Sequence, residues 1–264
     1  MRSTSELITA AQATMLKWPA IWLPPFMISA LQLMSSGPYM NAAAQGIVVV
    51  TTNLGVFLIE AGWVALIARA LNNQPVRMED FRAGVNKHWV SLVCGNLAFY
   101  ILLAALLGVM AAAGNALYGM DSLEQWFKSI EGLSPEKLEA ILKPDGLPAP
   151  IKGWLGLFAG WMALTVVASF LLLFWQPVVV LRGVGWWRGW LGSVRLVFTR
   201  FGQALVVALM NAALLFASLG VVTAGSAVMA LLGLGMLLLV MTYFKILYAT
   251  FVADTWPPPV DAHA

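Results

Sequence analysis

The sequence predicts an all-α fold, a polytopic membrane bundle of about six transmembrane helices. The first observation is compositional: of 264 residues, 61% are hydrophobic and only 10% are charged, whereas soluble domains carry about 25% charged residues. The second is that the apolar residues gather in runs of about 20, the length that a helix needs to cross a bilayer. A barrel would instead alternate apolar and polar residues in segments of about ten. Lipid is therefore the expected solvent for most of the chain.

Apolar runs that meet or approach this length define the predicted spans, with residues 1–264 forming a single integral membrane domain. They are Trp18–Met34, Gly46–Leu71, Trp89–Leu117, Trp154–Leu181, Phe201–Leu219 and Ala227–Leu247. The preceding segment, Ser5–Leu16, is predicted to be an interfacial helix. Its mixed polarity, which includes Glu6, disfavours a cleaved signal peptide.

Basic residues in the short connections predict the orientation, because Lys and Arg favour the cytoplasmic side. The connection after the second span carries Arg69, Arg77, Arg82 and Lys87, and the one after the fourth carries Arg182, Arg188, Arg195 and Arg200 with no acid. The outer loop, residues 118–152, holds six acidic residues against four lysines. We therefore expect a multi-pass protein of the cytoplasmic membrane with both termini in the cytoplasm.

Each cytoplasmic connection is predicted to contain an amphipathic helix at the membrane surface. In the first, Phe81, Val85 and Trp89 recur at helical spacing. In the second, Trp186, Trp190, Val194 and Val197 form an apolar stripe, while Arg188 and Arg195 share another face. Tryptophan and arginine together favour the headgroup zone. The residues predicted to contact lipid headgroups or a partner are Arg82, Lys87, Trp186, Trp187, Arg188, Trp190, Arg195 and Arg200.

The order of elements also suggests an internal duplication, about residues 46–117 and 154–219. In each copy a span, an amphipathic helix and another span follow one another. Between the copies, the outer loop is predicted to form two short helices, Leu123–Ile130 and Pro135–Leu142.

Glu60 is an acidic residue well inside a predicted span, which is costly in lipid and indicates a functional site or a buried partner. Asn53 precedes it by seven residues and is predicted to share its face. Two interpretations stay open: Glu60 lines a polar or proton path with Asn53, or it is a structural residue, neutral or paired with Lys245.

The inventory of reactive side chains argues against an enzyme. The chain has a single cysteine, Cys94, and two histidines, His88 and His263, and it has no clustered catalytic or metal-ligating residues, phosphate-binding loop or dinucleotide motif. The sequence therefore predicts no catalytic residue, no metal and no cofactor. It also predicts no nucleic-acid partner, since the basic residues do not form a soluble face.

Three short segments resemble a group of poorly characterised bacterial six-helix membrane proteins, similar to the membrane domain of some glycerophosphoryl diester phosphodiesterases. They are Glu79–Gly84, and Gln176–Gly183 followed by Ser193–Arg195. That group commonly has an acidic residue where this sequence has Arg182. The resemblance implies an all-helical domain of a bacterial inner membrane, and it supplies no catalytic residue because no phosphodiesterase domain is present.

The function predicted from these features is that of a non-catalytic membrane protein. It would handle a lipid or another hydrophobic ligand, or serve as a membrane scaffold, with anionic lipid headgroups and a cytoplasmic or membrane protein as partners. Two alternatives stay open: a permease subunit of an ATP-driven exporter, and a proton-coupled secondary transporter that uses Glu60. The oligomeric state is also open, including a homo-oligomer.

Overall fold

The computed structural model describes residues 2–35, 42–134, 141, 146–223 and 227–256. His263 and, apart from Ile141, the predicted outer-loop helix Pro135–Leu142 lie outside these residues. Within them, the chain is almost entirely helical and has no strand, so the all-α class is confirmed. The helices are α1 (Thr4–Lys17), α2 (Leu23–Ser35), α3 (Ala42–Leu71), α4 (Met78–Tyr118), α5 (Met120–Ile130), α6 (Ala149–Leu171), α7 (Trp175–Arg182), α8 (Trp186–Thr199), α9 (Phe201–Val222) and α10 (Ala227–Thr255).

Five helical stretches among the described residues are long and apolar enough to cross a membrane. They are Val48–Leu71, Met78–Tyr118, Ala149–Arg182, Phe201–Val222 and Val228–Thr255. The chain therefore has the architecture of a membrane protein with several spans.

The first predicted span, Trp18–Met34, is not one long helix. It consists of a 3₁₀ turn, Pro19–Trp22, and the 13-residue helix α2, which is about 20 Å long at about 1.5 Å per residue. A bilayer core is about 30 Å thick. The interruption is explained by Pro19, Pro24 and Pro25, which lack the backbone donor that a continuous helix needs. Six passes therefore stay a prediction.

The first amphipathic segment and the third span form one continuous helix, α4, of 41 residues. No glycine or proline separates them near Trp89, so nothing ends the helix there. The buried face of this part includes Gly84, His88 and Leu92, while Trp89 is exposed. Of the predicted apolar stripe, Phe81 and Val85 are partly buried and Trp89 is exposed, so its contact with lipid stays a prediction. Close packing sets the register, because a side chain at Gly84 would collide with Ala65 of α3.

The fourth predicted span is broken between Leu171, where α6 ends, and Trp175, where α7 begins. Pro177 lies in the first turn of α7, where a missing N–H costs no helical hydrogen bond. Pro177 therefore starts a helix rather than ending one. The end of α7 comes later, at Gly183, whose left-handed conformation (φ 61°) suits a residue without a side chain. The Val184 N–H then donates to the Val179 carbonyl at 3.2 Å, and the chain turns into α8.

The contacts of the chain form two compact units, Met1–Asn96 with Leu171–Ala264, and Leu97–Phe170. In the first unit, α10 contacts α1, α2, α3, α7 and α9, and its Phe244, Leu247 and Phe251 are buried. The predicted helix Ser5–Leu16 is present as α1, Thr4–Lys17, and its interfacial position stays a prediction. Its Leu7, Ala11 and Met15 are buried, and it contacts α10. The single-domain organisation and the internal duplication stay predictions.

Helix α1 begins with a capping box formed by Ser3 and Glu6. The Ser3 N–H donates to the Glu6 carboxylate at 2.6 Å, and the Glu6 N–H donates to the Ser3 hydroxyl at 3.3 Å. Hydrogen bonds from the backbone and side chain of Ser3 lower the pKa of Glu6. These hydrogen bonds stabilise the folded state when Glu6 is ionised. The stabilisation is therefore present above the ordinary carboxyl pKa and is lost as the pH falls through the lowered pKa of Glu6.

In the second unit, the later part of α4 packs against α6 through glycines. Side chains at Gly114 and Gly153 would collide with Trp154 and Tyr118, respectively. The outer-loop helix predicted as Leu123–Ile130 is confirmed as α5. It begins earlier than predicted, at Met120, whose N–H donates to the Asn115 side-chain oxygen at 2.9 Å.

Candidate functional site

The buried face of α8 packs on the protein rather than on lipid. Gly189, Ser193, Leu196 and Val197 are buried. Trp186 and Trp190 are partly buried against a core cluster contributed by α3, α4 and α7. The residues of this cluster are Ala61, Val64, Leu92, Trp175, Val179 and Val180. Trp186 and Trp190 therefore have an internal packing role, and their predicted contact with headgroups stays a prediction.

The opposite face of α8 combines arginines with large apolar side chains. Arg188 and Arg195 are exposed, as are Trp187 (55%), Leu191 (54%) and Phe198 (67%). No acidic residue occurs between Arg182 and Arg200 in the sequence. A helix face with exposed aromatic and basic side chains suits the boundary between headgroups and acyl chains.

Small residues hold α8 close to α7 and so fix which face is exposed. A side chain at Gly189 would collide with Val179, and a Cβ at Gly192 would lie 2.9 Å from Val178. Larger residues at these two positions would push α8 off α7.

A serine on α8 satisfies the break in the helix that precedes α7. The Ser193 hydroxyl donates to the Leu171 carbonyl at 2.8 Å and accepts from the Phe174 N–H at 3.1 Å. Ser193 is fully buried. Freed backbone groups in a membrane segment must find such partners, so one hydroxyl stabilises the break and also ties α8 to it.

Several basic side chains near the helix ends of the first unit are bound within the protein. Arg200 donates to Asp254 at 3.0 Å and to Thr255 at 2.9 Å, and its side chain is only 5% exposed. The Arg2 N–H also donates to Asp254, at 3.1 Å. Arg200 is thus a structural clamp between α1, α9 and α10, and its predicted role in docking headgroups does not fit its burial.

Two further contacts bind basic residues internally. Lys17, at the end of α1, donates to the Asn73 side-chain oxygen at 2.9 Å. The Arg69 side chain lies 3.3 Å from the Asp80 carboxylate. The first contact joins the end of α1 to the turn after α3, and the second joins the end of α3 to the start of α4.

Other basic side chains, at the start of α4 and along α7 and α8, are exposed and have no acidic partner among the described residues. They are Arg77, Arg82, Lys87, Arg182, Arg188 and Arg195. The structure therefore divides the cations into a set that is bound internally and a set that remains available to external anions. Arg82, Lys87, Arg188 and Arg195 of the predicted docking residues belong to the second set.

A partly buried polar cluster lies where α3, α7 and α10 meet. Lys245 forms an ion pair with Glu60 at 3.0 Å. The Gln176 side chain donates to the other Glu60 oxygen at 2.7 Å and accepts from Lys245. The Lys245 ammonium also lies 5.8 Å from the centre of the Trp63 ring. The predicted pairing of Glu60 with Lys245 is present, and Gln176 binds both partners.

Asn53 is elsewhere. Its side chain is exposed and donates to the Val49 carbonyl of its own helix at 2.8 Å. It lies about two turns from Glu60, a rise of about 10 Å along α3. The structure therefore does not bring Asn53 into the polar cluster.

Sequence reasoning missed four residues of these sites: Gln176, Arg182, Ser193 and Trp256. Gln176 and Ser193 are neutral, so neither carries the cost that draws attention to a charge in a span. Gln176 comes directly before Pro177, and a polar residue beside a proline inside an apolar run is the signal that could have revealed it. Arg182 and Trp256 are far apart in the sequence, and only folding brings them together. The Arg182 guanidinium lies 5.9 Å from the centre of the Trp256 ring.

Within the described part of the chain, no group of three or more His, Cys, Asp or Glu residues is arranged to hold a metal ion. Comparison with models of known protein families, with curated proteins and with solved structures gives no match. The resemblance to six-helix bacterial membrane proteins therefore stays a prediction.

Proposed function

We propose that this chain is a non-catalytic integral membrane protein that binds anionic phospholipids through the exposed face of α8. The observation that carries the proposal is the contrast between Arg200, which is buried and paired, and Arg188 and Arg195, which are exposed beside Trp187 and have no acidic partner among the described residues.

The chemistry of this face fits a charged membrane surface. A Lys or Arg side chain near an anionic leaflet contributes about 1 kcal/mol. Exposed Trp187, Leu191 and Phe198 offer apolar groups that can enter the acyl region beside the arginines. Because α8 is fixed to α7 by close packing and by Ser193, its arginines are presented without ordering a free segment.

We further propose that this face lies on the cytoplasmic side. Most basic residues of the chain gather at the two ends of α1, the ends of α3 and α7, the starts of α4 and α9 and along α8, whereas the outer loop is acidic. This is the asymmetry that the positive-inside rule associates with the cytoplasm. The resemblance to six-helix bacterial membrane proteins supports a bacterial inner membrane.

The test is a lipid titration of the detergent-solubilised protein followed by native mass spectrometry. We expect phosphatidylglycerol to bind more tightly than phosphatidylcholine. The double variant Arg188→Gln/Arg195→Gln should lose about 2 kcal/mol, or about 30-fold in affinity for the anionic lipid.

The matched control is Lys128→Gln/Lys152→Gln, which removes the same charge from exposed residues of the second unit. It should bind phosphatidylglycerol as the wild type does. Equal affinity of the wild type and the arginine variant would refute the proposal.

A proton-coupled transporter is a second candidate, and the polar cluster is the specific observation that favours it. Glu60, Gln176 and Lys245 meet next to a break in a candidate span, and interrupted helices are where many secondary transporters bind their ions. Flux in reconstituted vesicles tests it. Glu60→Gln should abolish a pH-driven flux, and an unchanged flux would exclude this function.

A further inference from the structure

We propose that a cleft between the end of α7, the exposed face of α8 and Trp256 is a discrete site for the phosphate group of one phospholipid. The inference rests on the proposed binding of anionic lipid and specifies where and by what chemistry one molecule is held. Its distinguishing residues are Arg182 and Trp256, which do not belong to the exposed row of α8.

Three arginines converge on this cleft from two helices. Arg182 is the last residue of α7, and Gly183 and Val184 turn the chain so that α8 runs back beside it. Arg188 and Arg195 lie seven residues apart on α8, which places them about 10 Å apart along the helix axis. The cleft between them has a volume of about 290 Å³, close to the lower limit of about 300 Å³ for small-molecule sites.

The floor of the cleft is apolar and contains a glycine. Val178 and Gly192 line it together with Trp256. A Cβ at Gly192 would lie only 2.9 Å from Val178, whereas its 3.6 Å distance to the Trp256 ring would be an ordinary van der Waals contact. Glycine at this position therefore lets α8 lie close to Val178 of α7.

The charge of the cleft selects the ligand class. Arginines line it, no acidic residue does, and within residues 146–223 and 227–256 the three guanidinium groups form no ion pair. Guanidinium binds phosphate oxygens through two parallel hydrogen bonds, a geometry that lysine cannot reproduce. The Trp256 ring holds the Arg182 guanidinium at 5.9 Å by a cation–π contact, which orients it before a ligand arrives.

The lipid source follows from the surroundings. Leu191 lines the cleft and is 54% exposed, and Trp187, one turn earlier on α8, is 55% exposed. A phosphate seated between the arginines would therefore lie next to a surface that can accept acyl chains. A soluble phosphate compound would make no use of these side chains.

The experiment measures binding of dioleoyl phosphatidic acid to the full-length protein in detergent by native mass spectrometry. Arg182→Gln should weaken binding by about tenfold or more, and Arg182→Lys should recover only part of this loss. Trp256→Leu should weaken binding several-fold while keeping all three arginines. Arg77→Gln, which removes an exposed arginine outside the cleft, should change the affinity by less than about twofold.

Ligand controls separate a phosphate site from diffuse attraction. Dioleoylglycerol succinate, which carries a carboxylate in place of phosphate, should bind at least about tenfold more weakly than phosphatidic acid. Equal binding of the two lipids would overturn the phosphate assignment. Glycerol 3-phosphate that bound as tightly as the lipid would overturn the lipid assignment.

The two proposals fail in different ways. If Arg182→Gln and Arg77→Gln weakened binding equally while Arg188→Gln/Arg195→Gln still lost anionic lipid, the discrete site would be wrong and the proposed function would stand. If the α8 variant lost no lipid relative to its lysine control, the proposed function itself would be wrong. Should Arg182→Gln fail to fold, Trp256→Leu decides, and an affinity equal to that of wild type would overturn the site.

Discussion

The Ser193 hydroxyl forms hydrogen bonds with two backbone groups at the break between α6 and α7. It donates to the Leu171 carbonyl and accepts from the Phe174 N–H. Ser193→Ala should therefore leave both without their partner, at a cost of about 1–3 kcal/mol each for buried groups. Ser218 is the matched control, because it is equally buried but only back-bonds to the Leu214 carbonyl of its own helix.

Thermal unfolding in detergent measures the difference. We expect Ser193→Ala to lower the melting temperature clearly and Ser218→Ala to change it little. Equal shifts for the two variants would mean that the hydroxyl does not stabilise the break.

Glu60 and Lys245 lie in one polar cluster, so their substitutions should not be additive. Removing one partner leaves an uncompensated charge, which costs about 3–5 kcal/mol in a fully buried pair and less in this partly buried one. The double variant Glu60→Gln/Lys245→Met should lose much less than the sum of the single losses. A double-mutant cycle on unfolding free energies checks this, and additivity would contradict the pairing.

The sequence predicts the pair but not the whole cluster. Charges inside apolar runs are conspicuous because lipid makes them costly, so Glu60 and Lys245 can be matched from their positions in the sequence. Gln176 is neutral and lies beyond a helix break that the hydropathy pattern does not reveal. Helical spacing puts Asn53 on the same face as Glu60, yet it lies about 10 Å further along α3 and binds its own helix.

At the scale of helices, α8 shows that periodicity predicts a stripe but not what covers it. Helical spacing correctly groups Trp186 and Trp190 on one face, but it does not reveal that this face packs on Trp175 and Val179. The glycines at positions 189 and 192 allow this close approach. A sequence read alone does not distinguish an apolar face that meets lipid from one that meets another helix.

Arg200 and Arg195 lie five residues apart in the sequence, but we expect their substitutions to affect different properties. Substitution of Arg200 should lower stability, and substitution of Arg195 should weaken lipid binding. Arg200→Gln removes a buried ion pair with Asp254, whose carboxylate then loses its closest partner, and should lower stability by about 3–5 kcal/mol. Arg195→Gln should leave stability within about 0.5 kcal/mol and weaken anionic lipid binding instead. Melting temperatures and lipid titrations on both variants check this, and a strong stability loss for Arg195→Gln would contradict the division.

At the scale of the whole molecule, membrane embedding is predictable because composition alone determines it. The number of passes is not, since Trp18–Met34 has the length of a span but contains three prolines that divide it. The continuity of α4 with its amphipathic start also escapes the hydropathy pattern, because a surface segment and a span can share one uninterrupted helix.

The orientation can be measured by cysteine labelling. In a Cys94→Ser background, Arg188→Cys should react with a membrane-impermeant maleimide only after the membrane is opened, whereas Lys128→Cys should react in sealed right-side-out vesicles. This follows from the concentration of basic residues near α8 and of acids in the outer loop. The reverse pattern would invert the proposed topology.

We propose that the exposed arginines of α8 hold anionic lipid in the native membrane. The most direct measurement is the ratio of anionic phospholipid to protein after mild extraction, compared between the wild type, Arg188→Gln/Arg195→Gln and Lys128→Gln/Lys152→Gln. We expect this ratio to fall in the arginine variant and to stay at the wild-type value in the lysine control. We also expect washing of the wild type at high salt to lower the ratio, because salt screens the attraction. An unchanged ratio in the arginine variant would show that these arginines do not hold the lipid.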